Sequence, residues 1–134
     1  MASGVPFKLI TPIEVVFEGE AELVIAVGTE GEEGILPRHA PFLTALRPGV
    51  LRANTAGAGR LELATGEGFM QALPDRVTVL VDKALRFEDV DAAAARSELN
   101  AALERQKSAV DAAAFQREQT LIDFAGAKLR LTGH

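Results

Sequence analysis

With 134 residues and no cysteine, the chain suits one domain, or one domain plus a small appendage, and has no disulfide framework, thiolate metal site or thiol nucleophile. A net charge of −5 and a pI near 5.0 exclude the basic face that nucleic acid requires, and the absence of Trp and Tyr removes the usual stacking platform for bases or sugars. No apolar run approaches the ~18–20 residues that cross a bilayer, so direct membrane insertion is not expected and any membrane association must come through a partner.

The opening Met1-Ala2-Ser3-Gly4-Val5-Pro6 lacks a positive segment followed by an apolar one and does not read as a signal peptide. Alternation of period two then begins. Ile13, Val15 and Phe17 are expected on one face with Glu14 and Glu18 on the other; Ala21, Leu23, Ile25 and Val27 repeat the pattern against Glu20 and Glu22. Next comes Gly28-Thr29-Glu30-Gly31-Glu32-Glu33-Gly34-Ile35-Leu36-Pro37-Arg38-His39-Ala40-Pro41-Phe42-Leu43-Thr44. Glycines free the backbone there while Pro37 and Pro41 fix it, which predicts an ordered loop between two strands that presents Glu32, Arg38 and His39. Further turn signals at Pro48-Gly49, Gly57-Ala58-Gly59, Gly66 and Pro74-Asp75 space short strands about 8–12 residues apart, which favours an antiparallel sandwich or barrel. Val77, Val79 and Val81 supply another inward face.

Composition changes near residue 87. All 6 Pro and 10 of the 12 Gly precede it, whereas residues 88–134 hold 12 Ala and no Pro, which predicts helix. Glu88, Asp89 and Asp91 place negative charge at a helix start. One stripe runs through Ala92, Ala95, Leu99, Ala102, Leu103 and Val110. After a break near Ser108–Ala112, a second runs through Ala114, Phe115, Leu121, Ile122, Ala125 and Leu129. Ala-rich stripes bury little area, so the hairpin is expected to be marginally stable. The fold class is therefore α+β, an N-terminal antiparallel β-sandwich followed by a C-terminal antiparallel two-helix hairpin.

Catalytic chemistry finds no support. Glu30, Glu32 and Glu33 lack calcium-loop spacing and lie in a Gly-rich segment unlike the apolar pocket that separates the pKa values of a catalytic carboxylate pair. His39 and the terminal His134 cannot supply the three or four convergent ligands of a metal site, so neither metal nor cofactor is expected; a loop histidine bonding to local backbone is the plain reading of His39. The Gly28, Gly31, Gly34 series lacks the Lys-Ser/Thr ending of a phosphate loop, and Ser97 and Ser108 have no nearby His.

The Gly28–Thr44 segment closely resembles the loop of the epsilon subunit of bacterial F-type ATP synthases, with Arg38 standing where that family usually has glycine. Thr11-Pro12, Val16-Phe17-Glu18-Gly19-Glu20-Ala21, Leu46-Arg47-Pro48-Gly49-Val50, Gly66-Glu67-Gly68-Phe69, Val77-Thr78-Val79-Leu80-Val81-Asp82 and Glu88-Asp89-Val90-Asp91 look like family segments in the right order. The resemblance implies a non-catalytic subunit whose residues 1–87 form a sandwich contacting the central stalk and c-ring, with residues 88–134 as a helical arm. It implies the gamma subunit and c-ring as partners, with Glu32, Arg38 and His39 at the rotor contact, and it extends to the alpha/beta head through the helices. It also implies a peripheral position at the cytoplasmic face of a bacterial inner membrane. Some family members bind ATP through an (Ile/Leu)-Asp-x-x-Arg-Ala motif. Here Asp91 matches after Val90, but Ala94 replaces the arginine and Arg117 stands alone on the second helix, so nucleotide binding is not expected and an acidic helix cap is the plainer reading. Residues 111–131 carry three charges of each sign, which predicts weak control of ATP hydrolysis by the arm. The rival reading is a free-standing nucleotide-sensing or adaptor module built on the same sandwich.

Overall fold

Nine strands precede two α-helices in the computed structural model, which describes residues 4–133. His134 lies outside the described residues, as does half of the Met1–Pro6 opening. In order the strands are β1 (Val5–Ile10), β2 (Val15–Gly28), β3 (Gly31–Ile35), β4 (Phe42–Leu46), β5 (Gly49–Thr55), β6 (Gly59–Thr65), β7 (Gly68–Leu73), β8 (Arg76–Val81) and β9 (Ala84–Leu85). One turn of 3-10 helix, Phe87–Asp89, leads to α1 (Ala92–Lys107) and α2 (Ala112–Leu131).

Strand β2 joins the two layers. Its first half pairs with β1, and its second half lies between β3 and β5. The order β1-β8-β7-β4-β2-β5-β6-β9, together with the β1–β2 pairing, wraps the sheet around one core. Pairing is antiparallel throughout except between β1 and β8, which run parallel. Phe7, Leu9, Val24, Leu51, Leu63, Met70, Val77, Val79 and Val81 fill that core, so β8 keeps the alternation expected of it.

The expected faces of β2 are corrected by a bulge. Ala21 opposes Thr55 and Leu23 opposes Asn54, so Glu22 is an extra residue and the alternation shifts by one. Ala21 is buried as expected, but beyond the bulge Val24 and Ala26 point inward while Leu23, Ile25 and Val27 turn to the outer face and are only half-buried. Ile13 and Val15, expected on one face with Phe17, are exposed, whereas Phe17 is half-buried against the core. Ile13 sits on a turn closed by the Thr11 N–H donating to the Glu14 carbonyl, which lifts it clear of the sheet.

Each helix begins at an aspartate. Asp91 Oδ1 accepts the Ala94 N–H at 3.0 Å, and Asp111 Oδ1 accepts that of Ala114 at 2.8 Å. The helices run antiparallel, tied by Arg105–Glu118, Gln106–Gln119 and Lys128–Glu98 contacts. Only α2 packs substantially on the sheet, against β5 and β6. Its Phe124 and Ala127 form a small cluster with Ala64, Val50, Leu85 and Leu131. That contact face departs from the expected stripe: Phe124 and Ala127 are buried, whereas Phe115 and Leu121 are exposed. Leu103 and Val110 are exposed on the α1 side as well. A helix held between a second helix and a sheet needs two apolar faces, and a single stripe describes only one.

Candidate functional site

The Gly28–Thr44 segment contains more regular structure than a loop. Gly28 and Gly31 close a tight β2–β3 hairpin whose tip is Thr29-Glu30, and Gly31 has φ 119°, a region open to glycine. Strand β3 then carries Glu32 before the chain turns at Pro37-Arg38 into β4. Arg38 and His39 are adjacent in that turn, but about 10 Å of strand, at ~3.3 Å per residue, separates Glu32 from Ile35 alone. The three residues therefore occupy two places at opposite ends of β3.

Glu32 is already engaged. Its Oε2 accepts from Arg52 Nη2 on β5 at 2.9 Å. The pair lines a cavity of about 290 Å³ with Val27, Val50, Glu62 and Arg130 at the foot of α2. Arg52 was invisible to local sequence patterns because it lies twenty positions away on another strand. His39 behaves as a loop histidine: its Nδ1 lies 2.7 Å from the Ala40 carbonyl, and its ring tilts against Phe42 at 5.8 Å between centroids.

Arg38 has φ 62° and is the one non-glycine residue with positive φ among those described. Pro at the first corner followed by a positive φ is the pattern of a type II turn, which favours glycine at the second corner. An L-residue there costs about 1–2 kcal/mol. The guanidinium is exposed and joins no ion pair among the described residues.

Beyond this turn lies an unpartnered apolar face. Leu43 and Ala45 of β4 are exposed, and the register sets Ala45 opposite Phe69, Phe69 opposite Leu80, Leu80 opposite Ile10, and Ile10 opposite Val15. Phe69 is 55% exposed and Leu80 44%, so this row crosses the outer face from β4 over β7 and β8 to β1 and β2, with Ile10 half-buried and the other members exposed. Sequence alternation did not single it out, because apolar residues occupy both faces of these strands.

The degenerate motif has a plain structural role. Val90 ends the 3-10 turn, Asp91 caps α1, and Ala94 is exposed in its first turn while its N–H serves as the donor to that cap. A groove of about 610 Å³ lies between the helices and Lys83. In it Phe124 sits beneath the ammonium groups of Lys83 and Lys128, 5.1 and 4.9 Å from its ring centroid.

A β-sandwich with an exposed apolar row and a two-helix arm docked on its sheet is the class of fold this chain defines. Residues 5–87 match the family described as ATP synthase, Delta/Epsilon chain, beta-sandwich domain, and the chain belongs to that family. Its relatives include the ATP synthase epsilon chain of Xanthomonas euvesicatoria pv. vesicatoria, 40% identical over 119 residues, covering 87% of this chain and 85% of the relative. The ATP synthase epsilon chain of Chromobacterium violaceum is 38% identical over 124 residues, covering 92% and 89%. Such chains are structural and regulatory subunits of the synthase and not its catalytic ones. Among solved structures, a chain of the Euglena gracilis mitochondrial ATP synthase (OSCP, F1 and c-ring, rotational state 1) superposes with a TM-score of 0.83 at 19% identity, covering 100% of this chain and 84% of that one. A chain of the Tetrahymena thermophila mitochondrial ATP synthase central stalk and c-ring gives 0.63 at 14% identity, covering 96% of each. At such identities the likeness speaks for the fold. Among the described residues, no helix is long and apolar enough to cross a membrane.

Proposed function

We propose that this chain is a central-stalk subunit that clamps the gamma subunit to the c-ring of an F-type ATP synthase, so that rotation is transmitted without slip. Residues 1–87 do the clamping and residues 88–134 form the arm. The observation that carries the reading is the apolar row Ala45–Phe69–Leu80–Ile10–Val15, which in a family of synthase subunits calls for a permanent protein partner. Gamma covers this row, while Glu32, Arg38 and His39 serve the rotor contact. The chain is held at the cytoplasmic face of a bacterial membrane through the complex. Control of ATP hydrolysis by the arm is weak, because most charges of α2 are spent internally, Asp123 on Arg47, Glu118 on Arg105 and Lys128 on Glu98, which leaves Arg117 and Arg130 alone outside an ion pair among the described residues.

Phe69→Glu tests the assignment. The side chain is exposed, so the subunit should fold with an unchanged circular dichroism spectrum yet fail to rebind complexes depleted of it, with coupled proton pumping lost. Normal rebinding would sink the proposal that this row is the stalk contact.

A further inference from the structure

We propose that the Arg38 guanidinium is itself a docking contact, pairing with a carboxylate on the protein that covers the apolar row; this rests on the stalk reading above. Three observations converge. Arg38 keeps a left-handed backbone that glycine would adopt freely, so the residue persists against its own conformational preference. Its guanidinium joins no ion pair among the described residues, a state it shares with several other cations, but it is the one such cation in the turn beside the apolar row. Its surroundings are those of an interface: Leu36 before it is 61% exposed, Leu43 after it is 67% exposed, and Leu43 shares its face with Ala45 at the head of the apolar row. A cation at the rim of such a surface, on a turn that follows Pro37, can present a forked donor to a carboxylate, with the entropic cost of docking confined to its side chain.

An anionic lipid surface is the weaker occupant. Lipid recognition draws on clusters of roughly four to eight basic residues. Arg38 is the sole cation between residues 28 and 46, and Glu30, Glu32 and Glu33 would be repelled by the same headgroups. A rigid turn fits a shaped protein partner better than a fluid one.

The experiment compares the full-length chain with Arg38→Gly and Arg38→Lys in rebinding to complexes depleted of this subunit, at low and high ionic strength. Arg38→Gly should raise the melting temperature of the free subunit while weakening rebinding about tenfold at low salt, as expected for a lost charge-assisted contact. The gap should close at high salt, and Arg38→Lys should retain much of the salt-sensitive part. Equal rebinding of Arg38→Gly and the natural chain at every salt concentration would overturn the proposal, as would a loss that salt does not alter. If Arg38→Gly instead lowers binding of the free subunit to phosphatidylglycerol vesicles and leaves rebinding intact, the partner is lipid and the protein reading falls. Failure of the natural chain to rebind would strike the stalk assignment itself, which separates the two failures.

Discussion

Gly68 opens β7 where there is no room for a methyl group: a Cβ built there would overlap the Leu80 carbonyl oxygen, with the Val81 Cα 2.7 Å away. Both obstacles are backbone, so no rotamer change relieves them. Gly68→Ala should cost about 3 kcal/mol by forcing β7 and β8 apart, and thermal unfolding should move down by roughly 10 °C. An unchanged midpoint would mean that the strands yield more easily than their register suggests. The same scale separates two kinds of departure from preference. Glycine at 68 is required by packing, whereas arginine at 38 is opposed by its own backbone, and only the second asks for an explanation outside the chain. The Glu32–Arg52 pair lies between them. Both side chains are partly exposed, at 56% and 31%, so the pair contributes at most ~1 kcal/mol.

Strand β2 marks where sequence legibility stopped. Its existence followed from alternation, but in Leu23-Val24-Ile25-Ala26-Val27 every residue is apolar, so either alternating set could face the core. The Glu22 bulge made the choice, and a bulge depends on the partner strand, which local pattern does not contain. β8 was legible because Arg76, Thr78 and Val77, Val79 differ in polarity. The helices show the same division. The break between them and the acidic start of the first were readable, yet the docking face of α2 was not, since Phe124 gains its meaning only from Ala64 and Leu85 across the chain. At the candidate site the turn residues Arg38 and His39 were legible from their prolines, while Arg52 was not. Phe124→Ala should remove about 2 kcal/mol of apolar contact and loosen α2 from the sheet while β1–β8 remain intact. Limited proteolysis would then cut within residues 108–131 sooner, with the sheet fragment persisting; simultaneous digestion of both parts would refute a separable docking contact.

On the scale of the whole molecule, the principal core lies entirely within the strands, and Phe124 contributes to a separate, smaller cluster. A chain ending at Phe87 should therefore unfold cooperatively and still rebind depleted complexes. Because three of the five charges of α2 are paired within the chain, leaving only Arg117 and Arg130 outside an ion pair among the described residues, complexes carrying the shortened subunit should hydrolyse ATP at nearly the unmodified rate. Activation by severalfold would show instead that the arm restrains the catalytic head. Both outcomes can be read from one preparation by calorimetry and a steady-state ATPase assay.

The uneven seating of the helices has a consequence for how the arm can be released. Helix α1 leans on α2, and α2 alone rests substantially on β5 and β6. The arm thus resembles a door with a single bolt: once Phe124 and the Arg47–Asp123 pair let go, nothing comparable holds α1, and both helices leave together. Upstream, the Arg86 guanidinium donates to the Val16 carbonyl at 2.8 Å and pins the connecting chain to β2, so the pivot falls after this anchor, in the few residues before Asp91. A competitor for the small patch around Ala64 would therefore command the whole arm without touching its first helix.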